Sequence, residues 1–483
     1  MDTRLPSLRQ WLTTHSVHLD PRLDLVQLSP SSATVRATAP IPPDCTVARI
    51  PKPLVLSHRT SSLPSFLPSS ALAALSTAPD ALRLALHVLH ELLLGPASRW
   101  AVYLDSCPPP GAIPLAVLWK VEGEARRWLR GTQAERELES VEISQSTLTS
   151  FFHSHVLPLL SPFSPSYSLS LSLSLATWHH AYALVSTRAF QVDTFHCLAL
   201  VPLADVFDHE QEGCEGVQFV AERWVCGECG ALGACKHDED SSLPASSSAQ
   251  PEKEDEQEED TCDLVTTRPL LPGETVFNHY GPGLSNAHLL VAYGFLLEAN
   301  EHDRVDISRE EAREALGLGE PEALALDSAA LGESDLVTPP RDGDPGALFV
   351  DADARPSPAL FGLLASSAGT TPARLEQLVE TSEAEKPLAD VDREVLSRAE
   401  GAVRRLVEAR QKGQCEPEMG AGELLELAEV RLFPSPSHIS SLLLTVLRCA
   451  EQAEQDEHVR LAMEFLAGER LILERLQQGW TFS

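Results

Sequence analysis

The chain has 483 residues, 43% of them hydrophobic, and carries 37 lysines and arginines against 70 aspartates and glutamates, a formal charge of −33. It is too long for one core and apolar enough to build two or three, which excludes a chain disordered throughout. The acid excess excludes a nucleic-acid binder, whose phosphate recognition needs a basic surface, and favours a basic partner such as a lysine-rich protein.

The opening MDTRLPSLRQWL has neither the apolar stretch nor the cleavage region of a secretory signal, and Leu8, Trp11 and Leu12 predict a short helix over 7–15. Alternating apolar residues at 24–28, 33–38, 47–50 and 54–56, parted by Pro- and Ser-rich turns, predict small twisted hairpins. From Asp80 to Leu94 the period becomes helical, with a stripe of Leu82, Ala85, Leu86, Leu89 and Leu93, and Gly95-Pro96 ends it. That helix carries His87, His90 and Glu91, but not in the His-Glu-x-x-His order that puts two imidazoles and a base on one face, so they read as solvated or packed rather than metal-binding. Residues 98–119 read as irregular, 120–160 as two helices, and the LSLSLSL run at 169–175 as strand-like low complexity. Trp178-His179-His180 opens the next helix, again with packed histidines, and 181–190 continues it to Ser186-Thr187-Arg188-Ala189-Phe190. The buried apolar run CLALVPLADVFDHE (197–210) predicts a strand that delivers Asp205, Asp208 and His209 to its end.

Half of the ten cysteines crowd between Cys214 and Cys262, and with no signal they imply reduced thiols and a cytosolic or nuclear home. Cys226-x-x-Cys229 and Cys235-x-His237 offer four soft or imidazole ligands for a structural zinc, with Gly227 and Gly230 permitting a tight knuckle. Cys262 is an alternative fourth ligand, and the bland reading is a reduced cysteine loop. The acidic, serine-rich stretch after His237 reads as a disordered linker. A strand resumes over 262–267. The stretch 275–297 then begins as a strand at Val276 and Phe277, turns at Tyr280-Gly281-Pro282-Gly283, and enters a helix capped by Ser285 or Asn286, with Leu289, Leu290 and Tyr293 along it. Beyond 300 the pattern is helical: a start at Thr371-Pro372, then helices over 388–411, 422–431, 437–454 and 457–477, with 335–348 a loop. LLLTVL at 442–447 is far too short to span a membrane.

Seven blocks in this order resemble a SET-domain protein methyltransferase of the Rubisco large-subunit methyltransferase type: LRQWL, ARIPKPLVLS (48–57), ELLLGPASRWAVYLDSCP (91–108), ALVSTRAF (183–190), LVPLADVFDH (200–209), FNHYG (277–281) and VAYGF (291–295). RLAMEFLAGERLILERL (460–476) is similar to the closing helices of that family. The resemblance implies an α+β fold: a SET catalytic domain over 1–299, with small twisted sheets and a knot-like crossing, then an all-α substrate-binding domain over 300–483. Inserts would fall at about 78–185 (helical) and 212–262 (cysteine-rich, then acidic). It further implies S-adenosylmethionine as methyl donor and a protein lysine as acceptor. Arg188 would bind the methionine carboxylate, and the Asp208-His209 backbone would receive the adenine. Tyr280 would sit beside the sulfonium and the amine, and Tyr293 and Phe295 would line the pocket and lysine channel. The carbonyls of Arg188 and Asp205 would orient the amine, and neither His209 nor His279 would serve as a base.

Two departures stand out: SPSSATV (29–35) has no glycine where the family has a Gly-x-Gly turn, and Asp208-His209 stands for Asn-His. They leave a degenerate, non-enzymatic SET scaffold as one alternative; that some relatives of the family methylate histidine makes a protein-histidine methyltransferase another. The expected partner is a basic protein, ribosomal or histone-like, met by a monomer.

Overall fold

The computed structural model describes residues 4–29, 32–168, 170–211, 213–221, 225–232, 235–237, 260–318, 336–338, 346–384, 386–430 and 442–481. The chain falls into two compact units, Met1–Ile113 with Ile143–Pro282, and Pro114–Glu142 with Gly283–Ser483.

In the first unit the N-terminal strands appear near their expected places, but only Leu23–Ser29 and Ser32–Ala37 pair as a hairpin; Thr46–Pro51 pairs with the distant Thr261–Thr266, and Leu56–Ser57 with Leu198–Leu200. The helix Arg4–Thr14 buries Leu8, Trp11 and Leu12. Strands β1 (His18–Leu19), β2 (Leu23–Ser29), β3 (Ser32–Ala37), β4 (Thr46–Pro51) and β5 (Leu56–Ser57) follow. After the helical stretch come β6 (Ala189–Gln191), β7 (Leu198–Leu200), β8 (Val217–Ala221) and β9 (Thr261–Thr266). They form an antiparallel sheet in the order β1-β4-β9-β8, a β2-β3 hairpin, and a sheet in the order β5-β7-β6.

The helix Asp80–Leu94 packs against the helix Leu175–Arg188 and buries its whole predicted stripe together with Leu84 and Val88. Each buried leucine contributes about 2 kcal/mol of transfer free energy. Glu91 is buried too, and accepts from the hydroxyls of Ser61, Ser62 and Ser98 and the Ser62 N–H at 2.7–3.1 Å. His90 meets the Ser62 hydroxyl at 3.1 Å and the Tyr167 hydroxyl at 3.2 Å. The His87/His90/Glu91 set is therefore packing, as read.

Several expectations are corrected. The apolar run 197–210 is a strand only over Leu198–Leu200; it then turns through Leu203 at φ +81 into a 3-10 turn, Ala204–Val206. Pro202 has no N–H to give a longer ladder. The serine–leucine run makes no strand among its described residues; Ser174 instead caps the helix that begins at Leu175, in a capping box with Thr177. Residues 98–119 include the helix Ala101–Ser106. Val276 and Phe277 lie in no strand: the neighbouring Thr275 and Asn278 make single bridges, to Arg36 and to His209.

The stretch 120–160, read as two helices, holds more: Glu124–Trp128 and Gln133–Ser140 in the second unit, and in the first Gln145–Phe151, continued by a π turn and Leu157–Leu160. Ser285 caps the helical start Asn286–His288, which widens into a π turn over Leu289–Tyr293. Among the described residues beyond 300 the regular structure is helical apart from one antiparallel pair, β10 (Arg304–Asp306) with β11 (Phe349–Asp351), so the expected all-α domain carries a small sheet. Thr371 caps the helix Pro372–Glu383 as predicted. The two last predicted helices are one, Leu442–Gly479. The stretch where the two meet, EQAEQDE, contains no proline or glycine and, apart from Asp456, consists of good helix formers.

Candidate functional site

The two stretches of the first unit that carry most of the predicted residues meet at one crossing. His209 and Asn278 form a parallel bridge, with the Asn278 N–H on the Asp208 carbonyl at 2.8 Å and the Glu210 N–H on the Asn278 carbonyl at 3.1 Å. The crossing sets Tyr280 beside Phe207 and His209. The Tyr280 hydroxyl donates to the Phe207 carbonyl at 3.3 Å. Its ring stacks on His209 at 5.0 Å, and its N–H donates to His209 Nδ1 at 3.2 Å. A donor on Nδ1 fixes the proton of the neutral imidazole on Nε2.

Arg188 closes the helix Leu175–Arg188, and β6 and β7 lead from it to Asp205. Its Nη1 donates to the Asp205 carbonyl at 2.8 Å and to Asp205 Oδ2 at 3.2 Å, and Tyr103 donates its hydroxyl to the same Oδ2 at 2.9 Å. Burial works against the Arg188 charge, but the Asp205 carboxylate, together with the neighbouring Cys107, Tyr103 and Tyr280, outweighs it and the guanidinium pKa is raised. Burial also raises the Asp205 pKa, with Arg188 and the Tyr103 hydrogen bond pulling the other way. The nearby Cys107 thiol is pushed up by burial to about 12 and stays protonated. Burial raises the pKa of Asp208 as well, while the Thr34 hydroxyl and Arg188 oppose it. The carboxyl that replaces an amide at 208 is thus drawn toward its neutral form.

Four buried polar atoms at this place have no hydrogen-bond partner among the described residues: Arg188 Nε, Asp205 Oδ1, and both Oδ1 and Nδ2 of Asn278. Leaving such groups unpaired costs about 1–3 kcal/mol each, so a polar ligand with donors and acceptors fits here.

The structure therefore brings Arg188, Asp205, Asp208, His209 and Tyr280 together in the first unit. Tyr293 and Phe295 lie in the second, their rings 6.3 Å apart, with burial raising the Tyr293 pKa. Gly294 between them has φ +79, and a Cβ there would stand 3.0 Å from the Pro114 carbonyl. Sequence reasoning gave no role to Tyr103 or Asn278. Both lay inside quoted blocks, but only their buried contacts single them out.

Cys226, Cys229, Cys235 and His237 converge, with one ligand atom from each lying within 4.8 Å of all the others. His237 Nδ1 is 3.4 Å from Cys226 Sγ and 3.6 Å from Cys235 Sγ. Backbone N–H groups of Cys229 and Glu228 bring the Cys226 thiol down to about 6. Cys262 is not part of the cluster: it is buried in β9, opposite Ile50 and Ala221, and its thiol is pushed up to about 12.

The second unit holds a cavity of about 620 Å³, lined among others by Asn286, Asp303, Leu425, Phe465, Glu469 and Glu474. Burial raises Asp303 there to about 6, against two hydrogen bonds from Asn286.

No family model matches the chain. It is 30% identical over 180 residues to ribosomal lysine N-methyltransferase 3 of Saccharomyces cerevisiae, which covers 29% of this chain and 32% of that protein. It is 26% identical over 318 residues to the N-lysine methyltransferase SETD6 of Rattus norvegicus, covering 63% and 57%. It is 23% identical over 306 residues to the actin-histidine N-methyltransferase of Callithrix jacchus, covering 62% and 44%. The chain thus spans less than two thirds of each relative's own length. Among solved structures, the SET domain of LSMT bound to lysine and AdoHcy superposes with a TM-score of 0.55 at 16% identity, over 99% of this chain and 90% of that one. The fold is that SET-domain fold of mixed helices and small sheets, and the resemblance read from the motif order is borne out.

Proposed function

We propose that this chain is an S-adenosylmethionine-dependent protein-lysine N-methyltransferase. The observation that carries the reading is the buried Tyr103–Asp205–Arg188 chain beside the Tyr280 phenol and the unpartnered Asn278 amide. Bound S-adenosylmethionine supplies a methyl group activated by its sulfonium.

Arg188 Nε is the donor left free of Asp205 for a ligand carboxylate. The main chain of Asp208 and His209 and the Asn278 amide offer donors and acceptors for a purine edge. The acceptor amine must be neutral, which costs about 4–5 kcal/mol at pH 7 for a lysine of pKa near 10.4. A dry wall of Tyr280, Phe207 and buried aliphatic residues lowers that cost by desolvation, and the carbonyls of Arg188 and Asp205 and the Tyr280 oxygen orient the nitrogen. No residue need act as a dedicated base: Asp205 is held by Arg188 and Tyr103, and His209 Nδ1 is already an acceptor.

The resemblance gives Tyr293 and Phe295 a pocket- and channel-lining role, and in this reading the His209–Asn278 bridge marks a knot-like crossing. The helical part beyond 300 serves to dock substrate. Its carboxylate-lined cavity and the charge of −33 suit a basic, ribosomal or histone-like protein in the cytosol or nucleus. The 23% relative that methylates actin histidine favours a second reading with a histidine acceptor.

Calorimetry with S-adenosylmethionine, then a labelled-donor assay against ribosomal proteins and histones with mass spectrometry of the product, tests both. Methyl-lysine is the expected product. Methyl-histidine would establish the second reading, and no detectable cofactor binding would leave a SET scaffold that only binds proteins.

A further inference from the structure

The β6–β7 hairpin ties Arg188 to Asp205, with Ala189 paired to Leu200. Its tip, 192–197, is gripped by both ends of the cysteine-rich insert. On the entry side Thr194 donates its hydroxyl to the Val225 carbonyl at 2.5 Å. Arg59 lies over the Phe195 ring at 4.8 Å and donates to the Gly227 carbonyl at 2.9 Å. Gly230, at φ +74, presses so closely on the same ring that a Cβ would come within 3.0 Å. On the return side, Asp260 pairs with the buried Lys52 at 2.6 Å, and Lys52 pairs with Asp193 of the tip at 3.0 Å. Asp193 in turn accepts the N–H groups of Phe195 and His196.

The knuckle has little of its own to hold it: Cys229 and His237 are exposed, and Cys226 and Cys235 only half-buried. All four ligand atoms nonetheless lie within 4.8 Å of one another, and the two S···N spacings from His237 match a tetrahedral ion. With Zn–S near 2.3 Å and Zn–N near 2.05 Å, the S···N edge of a tetrahedron is about 3.6 Å. The observed edges from His237 are 3.4 and 3.6 Å. We propose that Cys226, Cys229, Cys235 and His237 bind one zinc-class divalent cation, and that the metal-bound knuckle clasps the β6–β7 tip and so fixes the spacing of Arg188 and Asp205. With four protein ligands the ion has no open position, so it acts on the fold and not on the substrate. The consequence for the cofactor rests on the reading of Arg188 as its anchor; the metal site and the clasp do not.

The test uses the full chain. Metal analysis should give one zinc per chain, and cobalt substitution should give the intense visible bands of a tetrahedral thiolate site. Hydrogen exchange over 189–200 should accelerate at least tenfold when the metal is removed by a chelator. S-adenosylmethionine affinity should fall about tenfold or more in the stripped protein. Because Cys229→Ser can unfold the knuckle outright, Arg59→Gln is the companion variant: it keeps all four ligands, should keep one zinc, and should still accelerate exchange at the tip. Absence of stoichiometric metal, or a disulfide among the three thiols in reduced preparations, would overturn the site. Metal removal that leaves exchange at 189–200 unchanged would overturn the clasp. A metal-loaded protein with a protected hairpin but no cofactor binding would sink the methyltransferase reading and leave the clasp standing.

Discussion

Arg188 keeps its charge inside the fold because Asp205 sits against it, and Asp205 stays in place because Tyr103 donates to the same Oδ2 that Arg188 contacts. Tyr103→Phe removes a buried hydrogen bond to a charged group, worth about 1.5–3 kcal/mol. If that loss reaches Arg188, S-adenosylmethionine affinity falls about 10- to 100-fold by calorimetry. An unchanged affinity with a lowered melting temperature would make Tyr103 a packing residue only. Tyr280 stands differently, with its hydroxyl on the Phe207 carbonyl rather than on Arg188. Tyr280→Phe should therefore lower kcat by about 100-fold or more while cofactor affinity changes only a few-fold, consistent with loss of a single positioned polar group in the transition state. Equal losses in kcat and affinity would move Tyr280 out of the transfer step. Arginine, tyrosine and the Asp-His pair were legible from motif order. Asn278 was not: its importance lies in two buried amide atoms without partners, which no spacing announces.

Among the elements, those with strong periodicity and clear ends were read correctly. The helix Asp80–Leu94 has the predicted bounds, since Leu82 to Leu93 repeat at helical spacing and Gly95 stops it at φ +54. Elements shaped by tertiary contact were read wrongly. The 197–210 run looks like a long buried strand, but its apolar side chains fill a turn beside Arg188, and only three residues keep ladder pairing. Gly294, of which the sequence offered no reading, is also set by tertiary contact, because its need for glycine comes from the Pro114 carbonyl and a left-handed backbone. Gly294→Ala should destabilise the protein by about 1–3 kcal/mol, read as a drop in the urea midpoint. A midpoint that does not move would mean the turn can relax.

At the scale of the whole molecule, burial of histidines predicts acid sensitivity. His87 is pushed down by burial to about 3, and burial also lowers His58 and His180 to about 4. Each is neutral in the fold and titrates near 6.5 when unfolded, so the unfolded chain binds more protons below that pH. Their contribution is intact above about 6.5 and is lost as pH falls toward 4. For the almost fully buried His87 the loss is on the order of 4 kcal/mol. Urea midpoints should fall steadily between pH 6.5 and 4, and His87→Leu should flatten the slope. A wild-type midpoint constant over that range would show these histidines to be solvated.

The sequence by itself determined the order of the blocks, the caps and stripes of the helices, and the residue types that a methyl-transfer site and a zinc knuckle require. Those are local properties, set by spacing along the chain and by backbone preferences of a few residues. Only the tertiary structure decided that Tyr103 supports Asp205, that 208–210 runs beside Asn278, and that Cys262 belongs to the sheet while His237 joins the thiols. Except for the local cluster around His237, each of these pairs residues far apart in the chain. Burial then sets which of them must find a partner, and burial is not written in any one segment.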